Sequence, residues 1–227
     1  MKGRASSSLL LVPLSDEVHF PRTELRLRVV EPEYRELIED LFLRGSSREL
    51  VGTVLLKPEW AQVSSGDAVF GAGTAARLID LDVDDEGCEI VLLGQYRFEV
   101  EKELAVGPGR RAVVRRVLEP AVSEVDPGIR GVRDELIDCI SSLGHDLGGR
   151  FPLDREQIWE LRDDLSFEEV VNLVAARLDL PVLRKLRLLH DNLPDRANNL
   201  LAILRNRRQV LDALGPFRHL AGGSELN

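Results

Sequence analysis

The chain has 227 residues, 44% of them hydrophobic, and 39 acidic against 30 basic side chains give it a net charge of -9. That is enough apolar material to bury the core of one large domain or two small ones without disulfides, and the negative balance argues against a general nucleic-acid binder. Cys88 and Cys139 lie far apart and outside any C-x-x-C pattern, so they suggest neither a disulfide framework nor a zinc site; buried free thiols in reduced, cytoplasmic surroundings fit them.

Lys2 and Arg4 precede a Ser-Leu run, but its apolar part is only Leu9 to Leu14 and is broken by Pro13. It is shorter than the ~7–15-residue core of a secretory signal and far short of the ~20 residues of a membrane span. Residues 1–8 are expected to be a flexible N-terminus. Leu9 to Leu14 ends at a Pro-containing turn, and Thr23 to Val30 alternates polar and apolar as a half-buried strand does. At Pro32 the period changes to that of a helix. Proline suits a first helical position, Glu31, Glu33 and Glu36 put negative charge near the positive end of the dipole, and Tyr34, Leu37, Ile38, Leu41 and Phe42 form one apolar stripe up to Gly45.

Leu50 to Lys57 is β-prone and stops at Pro58. Ala68 to Asp82 reads as a strand that bends at Gly71 and Gly73. The turn signal Asp84-Asp85-Glu86-Gly87 leads into one strand up to Leu93, and a second runs past Gly94 from Gln95 to Glu101. After a turn at Gly107-Pro108-Gly109, Ala112 to Leu118 is the last strand. Such spacing predicts a sheet folded on itself.

Near Pro120 helical periodicity takes over. Asp126-Pro127 starts a helix whose stripe runs through Ile129, Val132, Leu136, Ile140 and Leu143 to Gly144. Asp154 to Leu161 reads as a short helix, and Ser166-Phe167-Glu168-Glu169 is a capping box ahead of Val170, Val171, Val174 and Leu178. Leu180-Pro181 leads into Val182 to His190, and Asp195 into a long helix through Ala197, Leu200, Leu201, Leu204 and Leu211. Residues 215–227 are expected to be a flexible tail.

The P-L at Pro13, the F-P at Phe20, the alternating strand and the E-P-x-Y-R that opens a helix at Glu31 together resemble the start of the N-terminal domain of Lon ATP-dependent proteases. The G-x-Y-R-F-x-V of Gly94 to Val100 resembles the family's G-x-x-R-x-x-I strand. Leu180 to Arg205 is similar to its closing helix pair, departing where the family has Lys-Gln-x-x-Leu-Glu and this chain has Arg184 to His190 without the glutamate. The resemblance spans Leu9 to Asp212. It implies an α+β fold, with a mainly antiparallel, PUA-like β subdomain carrying one helix over residues 9–120 and an α-helical bundle subdomain over 121–214.

The protease's other modules leave no trace in these residues. No G-x-x-x-x-G-K-[ST] loop, H-E-x-x-H or G-x-S-x-G occurs. The reading is a free-standing, non-enzymatic domain with no catalytic residue, cofactor or metal. His19, His145, His190 and His219 are scattered, and His145-Asp146 reads as a helix-end loop rather than as a base with its orienter. Asp80, Asp82 and Asp84 have calcium-like spacing, but an EF-hand begun at Asp80 needs glycine where Asp85 stands and glutamate where Val91 stands.

What the resemblance implies is a module that binds unfolded or tagged polypeptides, with components of a proteolytic system as further partners and no membrane. A peptide can add to an exposed sheet edge, and Phe20, Trp60, Phe70 and Tyr96, with Arg97 as polar anchor, are the candidate contacts, weighed against a core role for such aromatics. Leu180 to Asp212 holds seven Lys or Arg against three Asp, a local charge of +4. Within it Arg184, Lys185, Arg187, Arg205, Arg207 and Arg208 are candidate contacts to an acidic partner, or else a solvated helix face. Two alternatives stand beside this reading. One is an RNA or nucleotide binder of the PUA-like kind, using Arg110, Arg111, Arg115 and Arg116, although no interleaved aromatics offer stacking platforms. The other is a scaffold or regulator competing for the protease's partners.

Overall fold

A computed structural model describes residues 6–43, 50–57, 69–104, 109–147 and 165–214. Its elements run β1 (Ser6–Leu14), β2 (Glu24–Val29), α1 (Pro32–Leu43), β3 (Val51–Leu56), β4 (Val69–Asp84), β5 (Gly87–Leu104), β6 (Arg110–Arg116), α2 (Pro127–Leu147), α3 (Phe167–Arg177), α4 (Val182–His190) and α5 (Leu193–Leu214). The strands form one mixed sheet in the order β2-β5-β4-β3-β1-β6, and β6 also pairs with β5. That extra pairing closes β5, β4, β3, β1 and β6 into a ring, with β2 outside it on β5. Among the described strands only β1 and β3 pair in parallel.

β1 is apolar at successive positions because both of its faces are covered. Leu9 and Leu11 meet Val54, Ala75, Phe98, Ala112 and Val114 inside the ring, while Leu10, Val12 and Leu14 pack with Leu25, Ile90, Leu92 and Ile38 of α1. Burying side chains of this size stabilises by about 1.5–3 kcal/mol each. Inside the ring Phe98 lies against two glycines. A Cβ on Gly52 would come within 2.9 Å of its ring, and one on Gly73 within 2.7 Å of that ring and 2.3 Å of Thr53 O.

The expected division of the chain at Gly94 is corrected. Gly87 to Leu104 is one strand of 18 residues, because the peptide groups of Gly94 stay engaged: its N–H donates to Thr23 O at 3.0 Å and its carbonyl accepts from Arg22 N at 2.9 Å. At the glycines of β4, where the bend is expected, the β3–β4 ladder shifts register between Val54↔Gly73 and Leu56↔Val69. The β4–β5 ladder slips as well, beside Gln95, which is extra on β5, and at Ile79, which is extra on β4, and such bulges bend a strand and raise its twist. β5 can therefore pair with β2 over Cys88–Leu93 and with β6 over Phe98–Leu104.

The chain divides into two compact units, Met1–Pro120 with Asn172–Asn192, and Ala121–Val171 with Leu193–Asn227. The first holds the sheet, α1 and α4. In the second α2 packs on α5, burying Leu136, Ile140 and Leu143 of the one and Ala197, Leu200 and Leu204 of the other. The helix starts are the local ones the sequence announces. Asp126 Oδ1 accepts from Gly128 N at 2.7 Å ahead of α2. At α3, Ser166 N donates to Glu169 Oε2 at 2.8 Å and Glu169 N to Ser166 Oγ at 3.3 Å, the two halves of a capping box. Gly45 and Asp154 to Leu161 lie outside the described residues.

Candidate functional site

Two features of the first unit lie close to its surface chemistry, a buried polar seam under α4 and an open edge on β2. The seam begins with the register partners Thr53, Thr74 and Arg97 on β3, β4 and β5, all buried. Threonine hydroxyls tie it to the loop before β2: Thr74 Oγ1 donates to His19 O at 2.6 Å, and Thr53 Oγ1 donates to Thr74 O at 3.0 Å and lies 3.3 Å from His19 Nδ1. His19 Nε2 donates to Thr23 O at 2.9 Å, which assigns the proton to Nε2 and leaves Nδ1 as acceptor. Burial pushes the His19 imidazole down from 6.5 to about 4, so it is neutral at pH 7.

Arg97 closes the seam. Its Nη1 donates to Leu189 O at 2.6 Å and His190 O at 3.0 Å, the carbonyls left without intrahelical partners at the end of α4. A cation there also suits the negative end of the helix dipole. Its Nε sits 2.6 Å from Glu119 Oε1, an ion pair rather than a directed hydrogen bond. Beside the seam a recess bounded by His19, Thr53, Ala72, Leu186 and Leu189 holds about 10 Å³. That is room for no more than one water and none for a side chain.

β2 pairs with β5 on one side and, among the described residues, with no strand on the other. Leu25 and Val29 turn into the core beneath α1, and Glu24, Arg26 and Arg28 face out. Arg28 Nη2 pairs with Asp84 at 2.7 Å at the tip of the β4–β5 hairpin, where Asp84 Oδ1 also accepts from Glu86 N and Gly87 N. Those contacts hold the Asp84 carboxyl below its usual range. Its spacing with Asp80 and Asp82 therefore serves a turn, and among the described residues no group of three or more His, Cys, Asp or Glu gathers as a metal site would require.

The candidate aromatics go to different places. Phe20 is fully buried and offers no surface to a peptide. Phe70 and Tyr96 are half-buried, the latter beneath the Arg116 guanidinium, 4.4 Å from the ring centroid. Trp60 lies outside the described residues, as does His219. Arg97, buried, spends its Nη1 donors on the end of α4. Arg184 and Arg187 are exposed on α4, whereas Lys185 turns inward, half-buried, and donates from Nζ to Ala176 O at 2.6 Å; burial lowers its pKa. Arg205, Arg207 and Arg208 belong to the second unit, with Arg205 Nε donating to Glu135 at 2.6 Å. Two of the four β6 arginines pair across the strands with the acidic side of β5. Arg110 pairs with Glu103 at 2.9 Å, and Arg115 with Glu99 and with Glu101. Sequence reasoning passed over His19, Thr53 and Thr74. Their separation along the chain hides them, and only the run of small polar residues in apolar strands could have marked them.

Among known proteins, the pattern of the family described as the ATP-dependent protease La (LON) substrate-binding domain matches residues 8–206. Lon protease 2 of Sorangium cellulosum is 27% identical over 150 residues, 63% of this chain and 18% of that protein. The Lon protease of Amoebophilus asiaticus is 24% identical over 82% of this chain and 22% of its own length. The chain thus spans about a fifth of these relatives. Among solved structures, the N-terminal domain of Mycobacterium avium complex Lon protease superposes with a TM-score of 0.67 at 13% identity, covering 88% of this chain and 98% of that one. A Lon N-terminal domain protein from Xanthomonas campestris gives 0.60 at 23% identity, over 86% of this chain and 98% of that one. No described helix is long and apolar enough to cross a membrane.

Proposed function

Since the chain belongs to the family of Lon substrate-binding domains, we propose that it holds polypeptides by contact, adding an extended segment as a further strand along the outer edge of β2. The observation that carries this reading is the sheet topology. Arg77–Asp84 of β4, open beyond its pairing with β3, ends in the β4–β5 hairpin, whereas β2 stands outside the closed ring and keeps one side open along its whole length among the described residues. Such an edge offers main-chain donors and acceptors to any extended sequence, which suits a binder of many unfolded chains. Phe70 and Tyr96 are the accessible aromatic candidates for side-chain contacts, and in this reading the module has no chemistry of its own. We read the ring as PUA-like but its arginine row as structural, because Glu99, Glu101 and Glu103 already neutralise Arg110 and Arg115.

Calorimetry with reduced, carboxymethylated casein, followed by amide chemical-shift mapping, tests the proposal. Micromolar binding with shifts concentrated over Glu24–Val29 is the expected result. No heat at high micromolar concentration, or shifts confined to another surface, would overturn it.

A further inference from the structure

The exposed face of α4 carries charge that the rest of its unit does not use. Leu183, Arg184, Arg187 and His190 are exposed and recur at the spacing of one helix face, while Leu186, Leu188 and Leu189 turn inward. The helix contains no acidic residue. Five other arginines of this unit are committed to carboxylates, Arg28 to Asp84, Arg35 to Glu39, Arg97 to Glu119, Arg110 to Glu103 and Arg115 to Glu99, while Arg26 and Arg77 are exposed on strands. Neither Arg184 nor Arg187 has such a partner among the described residues.

Their placement also works against the helix. Arg184 and Lys185 stand in the first turn of α4, where the dipole is positive, and Pro181 supplies no side-chain cap. Each cation so placed costs about 0.3–1 kcal/mol relative to an acidic residue. Lys185 is compensated by its bond to Ala176 O, but Arg184 breaks the local rule with no side-chain partner among the described residues, which points to a role outside the fold. The helix is meanwhile held in place, to the sheet by Arg97 at its C-terminal carbonyls and to the end of α3 by Lys185 reaching Ala176 O, so its outer face is a fixed platform.

We propose that the Leu183–Arg184–Arg187 face of α4 docks short acidic stretches of the polypeptides this module holds, so that held chains are selected for Asp or Glu beside an apolar residue. The inference rests on the polypeptide-holding reading and names its preferred substrate class. Charge complementarity is the warrant: two guanidinium groups one helical turn apart, unpaired among the described residues, match carboxylates on an extended chain, and Leu183 offers apolar contact beside them. A nucleic acid fits less well. No aromatic residue on this helix offers a stacking surface, and a chain of net charge -9 repels a long polyanion.

Fluorescence anisotropy with three labelled extended peptides of one apolar core, carrying three Asp, three Ser or three Lys, separates the possibilities. At 50 mM NaCl the Asp peptide is expected to bind about five- to tenfold more tightly than the Ser peptide, as two exposed ion pairs would provide, and the gap should narrow at 300 mM. An R184E/R187E variant, with folding checked by circular dichroism, should lose the Asp preference and keep its affinity for the Ser peptide; R208E is the control. Equal binding of all three peptides would overturn this inference and leave the polypeptide-holding reading standing. Binding of none would overturn both. A uridine oligonucleotide that binds more tightly than the Asp peptide and is lost in R184E/R187E would also refute it.

Discussion

Acidification should weaken the sheet unit through His19, and the size of the effect follows from its surroundings. The imidazole is enclosed between Thr23 O and Thr53 Oγ1 with no acidic partner at either nitrogen, and burial lowers its pKa from 6.5 to about 4. Between those values the unfolded chain binds more protons than the folded one, so stability rises with pH through that window. The contribution is complete above 6.5 and is lost as the pH falls toward 4. At pH 5 the loss is about 2 kcal/mol, approaching about 3 kcal/mol below the folded-state pKa. His19→Gln keeps an amide donor for Thr23 O and removes the titration. Urea unfolding of the sheet unit, followed by circular dichroism at pH 7.5 and 5.0, should show the wild type losing about 2 kcal/mol more than the variant. Imidazole proton shifts read the titration directly. Equal losses in the two proteins, or an imidazole that titrates above pH 6 in the folded state, would refute the account.

Two further substitutions probe the ring and the seam. Gly73→Ala should cost about 3 kcal/mol or more by urea unfolding, because the new methyl meets Thr53 O, a backbone atom that cannot step aside, whereas Gly71→Ala, with nothing within 4 Å, should stay within about 1 kcal/mol of wild type. Arg97→Met leaves Glu119 and the carbonyls of Leu189 and His190 without their cation and should cost about 3–5 kcal/mol. Faster amide exchange at the end of α4 should accompany that loss, and unchanged exchange there would show that Arg97 does not hold the helix.

What could be read from the sequence is what short-range forces decide. Pro32 marks a helix start because its missing N–H and preset φ suit the first turn, and Asp126 and the Ser166–Glu169 pair do so because the N–H groups they satisfy lie within three residues; α1, α2 and α3 begin there. Alternation identified β2 as half-buried but said nothing about its neighbours, and whether a strand lies at an edge is settled by partners such as Cys88–Leu93, which arrive about sixty residues later. The same distance hid the continuity of β5, since the peptide groups of Gly94 are engaged by Arg22 and Thr23. The Arg97 motif was visible as a resemblance, yet its work is done on carbonyls 92 and 93 residues further on. Nothing local marks Asn172–Asn192 as belonging with the sheet. Its apolar stripe would suit a helical neighbour equally well.

The closed ring also constrains the kind of ligand that this part of the chain can serve. Phe98, with Leu11 and Val114, fills the interior down to the glycine backbones of β3 and β4, so the barrel is a packed core rather than a cup. The recess beside His19 holds about 10 Å³, against the roughly 300–1,000 Å³ of a typical small-molecule site. The features on which the polypeptide-holding proposal draws lie outside the barrel, the open side of β2 and the Arg184–Arg187 face of α4. In that proposal a main chain pairs with the strand edge whatever its sequence, and its side chains are sorted by charge at the helix face.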